Sequence, residues 1–224
     1  MVLWSVCAWA QTAVQHPSFE VYRHRMDVDV DGAPRAYGPR GIDALDYLSN
    51  ARLEGKKHGP IVGFLLDDHG KPVVQGPRDP APGYYISQTA YVDESHEDER
   101  DMARYVDATK ISYVVLGDVA KARGVKLGDF VAVYSFKTKK SVFAIVADDG
   151  NPSGDEGSLH LLQALGYPFH DGKDDAVEKE GEILVRFYPG SNPGHLFFRE
   201  QRNLDLTATK IGLSRDFSGV QASK

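Results

Sequence analysis

The chain has 224 residues, enough for one domain with a sizeable core, and 42% hydrophobic with 26% charged residues is the composition of an ordinary soluble globular protein. Acidic residues outnumber basic ones 32 to 26, a formal net charge of −6, which argues against nucleic acid, whose phosphates attract a basic face. A single cysteine, Cys7, excludes an internal disulfide and a cysteine-based metal framework, and the eight histidines contain no i, i+4 pair, so neither a metal site nor a cofactor is expected.

Met1 to Ala10, MVLWSVCAWA, is apolar and ends in the small-x-small form of a signal-peptidase site, but it lacks a basic start and a long apolar core. It reads as the remnant of an export signal, which would make the protein secreted or periplasmic, or as an N-terminal strand or cap. Residues 1–18 are set apart for that reason, with a single domain over 19–197 and no membrane association.

Phe19 to Asp31 alternates, and Met26 to Asp31 is a period-two strand with its acids on one face, either a solvated face or the wall of an acidic cleft. Calcium binding of the EF-hand type is excluded, because the twelfth position from Asp27 is Gly38 and not Glu. Ile42, Leu45, Leu48 and Leu53 have helix-like spacing and predict a short helix over 42–53. Gly59 to Leu66 and Lys71 to Gln75 predict a hairpin around Asp67-Asp68-His69-Gly70. After the loop GPRDPAPG, Tyr84 to Tyr91 is an aromatic–polar strand. Tyr84, Gln88 and Thr89 there have the chemistry to stack on sugar rings and hydrogen-bond hydroxyls, though strand aromatics are more often core.

Ile111 to Leu116, Phe130 to Phe136, Val142 to Ala147 and Ile183 to Tyr188 read as strands, and Asp118 to Gly124 as a short helix or turn. The chain turns polar after Phe198, so 198–224 is expected to be a peripheral extension. Short strands with few helices predict a mainly β, mostly antiparallel barrel or sandwich.

The richest segment is Val142 to Gly166. An apolar strand ends on Asp148 and Asp149, a Gly/Asn/Pro/Ser loop carries Glu156, and Ser158 to Leu165 reads as an amphipathic helix. Two carboxylates facing across one cleft are what glycosidic hydrolysis requires: one protonates the leaving oxygen and the other activates water. The bland alternative is that Asp148 and Asp149 are turn residues and Glu156 a solvated loop charge.

Four pieces, Asp29 to Tyr37 (DVDGAPRAY), Pro72 to Pro82, Asp107 to Leu116 (DATKISYVVL) and Asp148 to Ser158, resemble in order the chitosanases of glycoside hydrolase family 75, most closely their bacterial relatives. Cysteines that the fungal members carry near the acidic first strand are absent here. The resemblance implies an inverting endo-glycosidase acting on chitosan or a related amino-sugar polysaccharide, with Asp148 and Glu156 as the essential acids and Asp149 competing for the first place. Asp148 follows apolar residues and is assigned as acid; Glu156, in a more polar setting, is assigned as base. Asp29 and Asp31 would then hold glucosamine ammonium groups, with Tyr84, Gln88, Thr89 and Asp107 as further substrate-binding candidates on a monomer. Val125 to Gly166 also resembles a double-psi β-barrel, which implies a six-stranded barrel with a few short peripheral helices. It also leaves a peptidoglycan-acting enzyme of lytic-transglycosylase type, or a non-catalytic glycan-binding module, as rival readings.

Overall fold

The apolar run Val142–Ala147 forms most of the longest strand in the computed structural model, which describes residues 16–53 and 58–222. In chain order the strands are β1 (Phe19–Tyr22), β2 (Met26–Asp29), β3 (Tyr113–Val115), β4 (Phe130–Ser135), β5 (Ser141–Asp148), β6 (Glu156–Ser158), β7 (Ala176–Val177) and β8 (Ile183–Phe187). Three short helices accompany them: α1 (Asp118–Ala122), α2 (Leu159–Ala164) and α3 (Gln201–Lys210). The protein is mainly β, as its short strands predict. The N-terminal stretch read as an export-signal remnant falls mostly on residues 1–15, outside the described residues. No helix among the described residues is long and apolar enough to cross a membrane.

All eight strands lie in one mixed sheet of order β1-β8-β4-β5-β3-β6-β2-β7 that curls into a half-barrel. The closed six-stranded double-psi barrel is therefore not formed. Closure would require the edge strands β1 and β7 to pair. With two residues, β7 offers too few backbone donors and acceptors for a ladder. The centre of the sheet is antiparallel, β8 on β4 and β4 on β5, with Phe130 opposite Ile145 and Val131 opposite both Ala144 and Phe187. These strands are buried on both faces, which explains why they read as continuous apolar runs instead of alternating ones.

Helix α3 covers one part of β5. Its Leu204 and Ala208, one turn apart, are buried. The Gln201 side chain accepts from the Ser112 N–H at 2.8 Å and donates to the Phe143 carbonyl at 2.9 Å. Farther on, Phe217 stacks on Tyr134 at 5.1 Å beneath the Arg186 guanidinium. The C-terminal segment reads as polar because only one narrow face of α3 meets the sheet. The predicted helix at 158–165 forms as α2, with the Ser158 hydroxyl accepting from the Leu161 N–H at 3.1 Å as its N-cap.

The predicted helix over 42–53 is absent, and the segment is a series of turns. The N–H groups of Leu45 and Asp46 bond to the carbonyls of Arg35 and Ala36, and the Leu53 N–H to Pro60. Long-range partners thus replace the i−4 carbonyls a helix would use. The hairpin expected over 59–75 survives only as isolated bridges, Leu66 with Pro72 and, to the following segment, Phe64 with Ser87 and Val74 with Tyr85. Pro60 and Pro72 have no N–H to give to a ladder.

At Gly32 the backbone has φ +76° and passes so close to Val106 that a Cβ would lie 2.0 Å from its carbonyl oxygen. Gly41 also has positive φ, at +95°, but a Cβ there meets nothing within 4 Å. Gly41→Ala is expected to cost about 1 kcal/mol from backbone strain alone. Gly32→Ala should cost about 3 kcal/mol or more, because the backbone carbonyl must also move. Equilibrium denaturation of the two variants checks this; equal losses would contradict it.

Candidate active site

Three segments converge on one groove of about 700 Å³: the end of β2, the end of β5, and the loop into β6. Asp148 is placed by an irregularity. Tyr113 and Val114 of β3 pair with Ile145 and Val146 of β5, but Val115 pairs with Asp148, so Ala147 is skipped. A bulge of this kind re-aims the side chain that follows it. Asp148 is 7% exposed, and its Oδ1 accepts the backbone N–H groups of Ala90 at 3.1 Å and Asp149 at 2.8 Å. Asp149 also borders the groove but turns outward to an ion pair with Lys121 of α1 at 3.0 Å.

Asp29 ends β2, and its Oδ1 accepts the Asp31 N–H at 2.8 Å, forming a tight turn that brings both carboxyls to the same side. The Tyr37 hydroxyl donates to Asp31 Oδ1 at 2.7 Å, and the Tyr113 hydroxyl donates to the Asp31 carbonyl at 3.0 Å while lying within reach of the Asp29 carboxyl. Gly63 makes room for this, since a Cβ there would sit 2.9 Å from Asp31 Oδ1. Glu156 opens β6, where it pairs in parallel with Asp27 of β2. The loop leading to it is strapped down: Asp118 N–H bonds the Pro152 carbonyl at 2.8 Å, and the buried Arg23 bonds the Ser153 carbonyl at 3.0 Å.

One oxygen from each of Asp29, Asp31 and Asp148 lies within 4.8 Å of the others. Three carboxylates this close either share protons or hold one hard, oxygen-seeking divalent cation. The sequence carries no histidine or cysteine metal pattern; this trio is assembled only by the pairing of distant strands. Burial, the mutual repulsion of the acids, or both raise the carboxyls of Asp29, Asp31, Asp46, Asp148 and Glu156. Asp29 is pushed up to about 6 and the neighbouring Asp46 to about 7, each chiefly by burial. Glu156 is pushed up to about 8 by burial and the charge of Asp29, against a lowering hydrogen bond from Asn151. Asp31 and Asp148 are held well above the ordinary carboxylate range by burial and by Asp29.

Of the residues the sequence singles out, Asp29, Asp31, Asp148 and Glu156 share the groove; Tyr84, Gln88, Thr89 and Asp107 do not border it. Tyr84 is tied to Arg35 and to the Asp43 carbonyl, both at 3.0 Å. Gln88 donates to the Tyr105 hydroxyl at 3.0 Å. Thr89 is buried, donating to the Tyr91 carbonyl and accepting from the Val106 N–H. Asp107 folds back on Thr109 and pairs with Lys110 at 2.9 Å. Their polar atoms are thus engaged in internal hydrogen bonds and ion pairs of irregular segments that have no ladder. Sequence reasoning missed Tyr37, Asp46, Tyr113 and Asn151, all of which touch the cluster or border the groove. Tyr37 lies within the DVDGAPRAY motif and offered a signal; Asp46 was hidden inside a false helix.

No protein-family model matches the chain, and no curated protein is similar enough to match it.

A carboxyl that binds its proton more tightly when folded favours the native state fully below the unfolded value near 4. That advantage is lost as pH rises through the folded value. With folded values of about 6, 7 and 8 for Asp29, Asp46 and Glu156, the loss runs from about pH 4 to pH 8. The Tm is therefore expected to fall between pH 5 and pH 8.5, on the order of 5 °C, and Asp29→Asn should flatten the slope. A Tm that climbs over this range would contradict the assignment.

Proposed function

We propose that the groove is the active site of an inverting endo-glycoside hydrolase acting on chitosan or a related amino-sugar polysaccharide. The observation that carries this reading is charge placement. Among the described residues, ten acidic side chains border the groove against three basic ones, in a chain whose whole formal charge is −6. A cleft that gathers carboxyls in this way favours a cation, which can replace the protons they hold. Repeated ammonium groups on a sugar polymer match it; a polyanion does not.

Asp148 and Glu156 are the pair that would perform the chemistry. They flank β3, through Val115 with Asp148 and Val114 with Gly157. Two interstrand spacings of about 4.8 Å separate their backbones by about 10 Å. An intervening strand between the two positions is compatible with the room for water that an inverting pair requires. Asp148, the more deeply buried and flanked by Asp29, keeps its proton and donates it to the glycosidic oxygen. Glu156, more open and hydrogen-bonded to an amide, takes the proton of the attacking water from the opposite face. An approaching ammonium group lowers the pKa of Glu156 and so favours its ionised form. The ordered motif resemblance to family 75 chitosanases agrees with this reading.

Asp148→Asn and Glu156→Gln are expected to lower reducing-end release from chitosan by 10³-fold or more, a rough scale for loss of an essential proton-transfer group, while leaving oligomer binding largely intact. Asp29→Asn should chiefly weaken binding. Binding to chitosan oligomers should weaken as salt rises, whereas fully acetylated chitin should respond little. Turnover should survive chelation. Full activity in both catalytic variants would end the two-carboxylate proposal. Loss of turnover with chelator, restored by a divalent cation, would replace it with metal chemistry at Asp29, Asp31 and Asp148.

A further inference from the structure

The loop before β6 contains an amide whose orientation is fixed from behind. Asn151 Oδ1 accepts both the Ser153 N–H at 3.0 Å and the Ser153 hydroxyl at 2.8 Å. A backbone N–H can only donate, so the atom facing Ser153 must be the oxygen and the amide cannot be flipped. Its Nδ2 is thereby turned to Glu156 Oε1, at 2.9 Å. We propose that Asn151 is a positioning residue for Glu156, an obligate donor that holds this carboxyl in place and favours its ionised form over the protonated one. The proposal takes the role of Glu156 as base from the hydrolase reading above.

Among the described residues, the charged groups around Glu156 push the opposite way or are already engaged. Asp27 and Asp29 approach from β2, Asp148 from the end of β5, and Asp46 from the segment that follows β2. Arg25, which borders the same groove, is committed to ion pairs with Asp27 and Glu178. Burial and this ring of acids favour a protonated Glu156, which cannot deprotonate water. Among the described residues, the Asn151 N–H donor opposes them, because it stabilises a carboxylate more than a carboxylic acid. The backbone around Asn151 is held independently, by the Arg23 contact to Ser153 and the Asp118 contact to Pro152. Gly154 also lies so near Gly117 that a Cβ on either would come within 2.8 Å of the other's backbone nitrogen. Changing the side chain at 151 therefore tests the donor more than the loop.

Two substitutions separate donor from turn. Asn151→Asp keeps an oxygen for Ser153 but presents an oxygen to Glu156. Asn151→Ser keeps an acceptor for the turn and is too short to reach Glu156. The readout is the titration of the Glu156 carboxyl, followed by carbon-13 NMR on the full chain and identified by its loss in Glu156→Gln, with thermal melts confirming that each variant is folded. The Glu156 midpoint should rise by about one pH unit in Asn151→Ser and by more in Asn151→Asp. The acid limb of kcat/KM on chitosan should move up with it, a change that a merely structural role would not produce. An unchanged midpoint in folded Asn151→Ser overturns the inference. If the unaltered protein shows no turnover on chitosan, the hydrolase reading fails, and the titration still decides what Asn151 does.

Discussion

The central constraint in this structure is the repulsion among carboxyls gathered at one groove. Asp29, Asp31 and Asp148 bring oxygens within 4.8 Å of one another, with Glu156 and Asp46 beside them. At that distance ionised carboxylates repel by several kcal/mol in a partly desolvated site, so a folded chain without a ligand must hold protons there. The surrounding donors make the arrangement tolerable without neutralising it. Tyr37 donates to Asp31, backbone N–H groups donate to Asp29 and Asp148, and Asn151 donates to Glu156. Among the described residues, no lysine or arginine side chain bonds these carboxyls.

The rest of the fold explains how such a site is sustained. Strands β8, β4 and β5 form a dry slab, with α3 against β5, that contributes burial energy far from the groove. The acids lie where β2 and β5 end, and the bulge at Ala147 redirects Asp148 just as the strand leaves the slab. The apolar slab and the acidic cluster thus occupy different regions, and the destabilising cluster is carried by the stable slab. The loop to Glu156 resembles neither region: it has no ladder and is held by single contacts from Arg23, Asp118 and Lys121.

Much of this organisation was legible in the residues, and the remainder fails for identifiable reasons. The Val142–Ala147 run, the turn after it and the Ser158 cap each have a local cause, and β5 and α2 formed as those causes require. Asp29, Asp31, Asp148 and Glu156 were all candidates, and they share one groove. Closure of the sheet was not legible, since whether β1 meets β7 depends on long-range geometry and not on pattern. The segment over 42–53 has helical spacing, yet its N–H groups bond to residues 35, 36 and 60, which no window on the sequence contains. Tyr84, Gln88 and Thr89 were read as ligands for sugar because their chemistry suits it. The same chemistry serves instead in internal hydrogen bonds, to the Asp43 and Tyr91 carbonyls and the Tyr105 hydroxyl. Polar residues in segments without ladders carry this ambiguity whenever only the sequence is known.

Protons and a cationic ligand should compete for the same cluster, and calorimetry can count the exchange. A glucosamine oligomer is titrated into the protein near pH 5.5, where its amines are charged, in buffers of differing ionisation enthalpy. Release of on the order of one proton per site is expected, because the ammonium groups lower the pKa values of Glu156 and its neighbours. The acetylated oligomer should release none. Binding of the cationic oligomer without proton release, or with uptake, would contradict the view that this groove is a carboxylate cluster awaiting a cation.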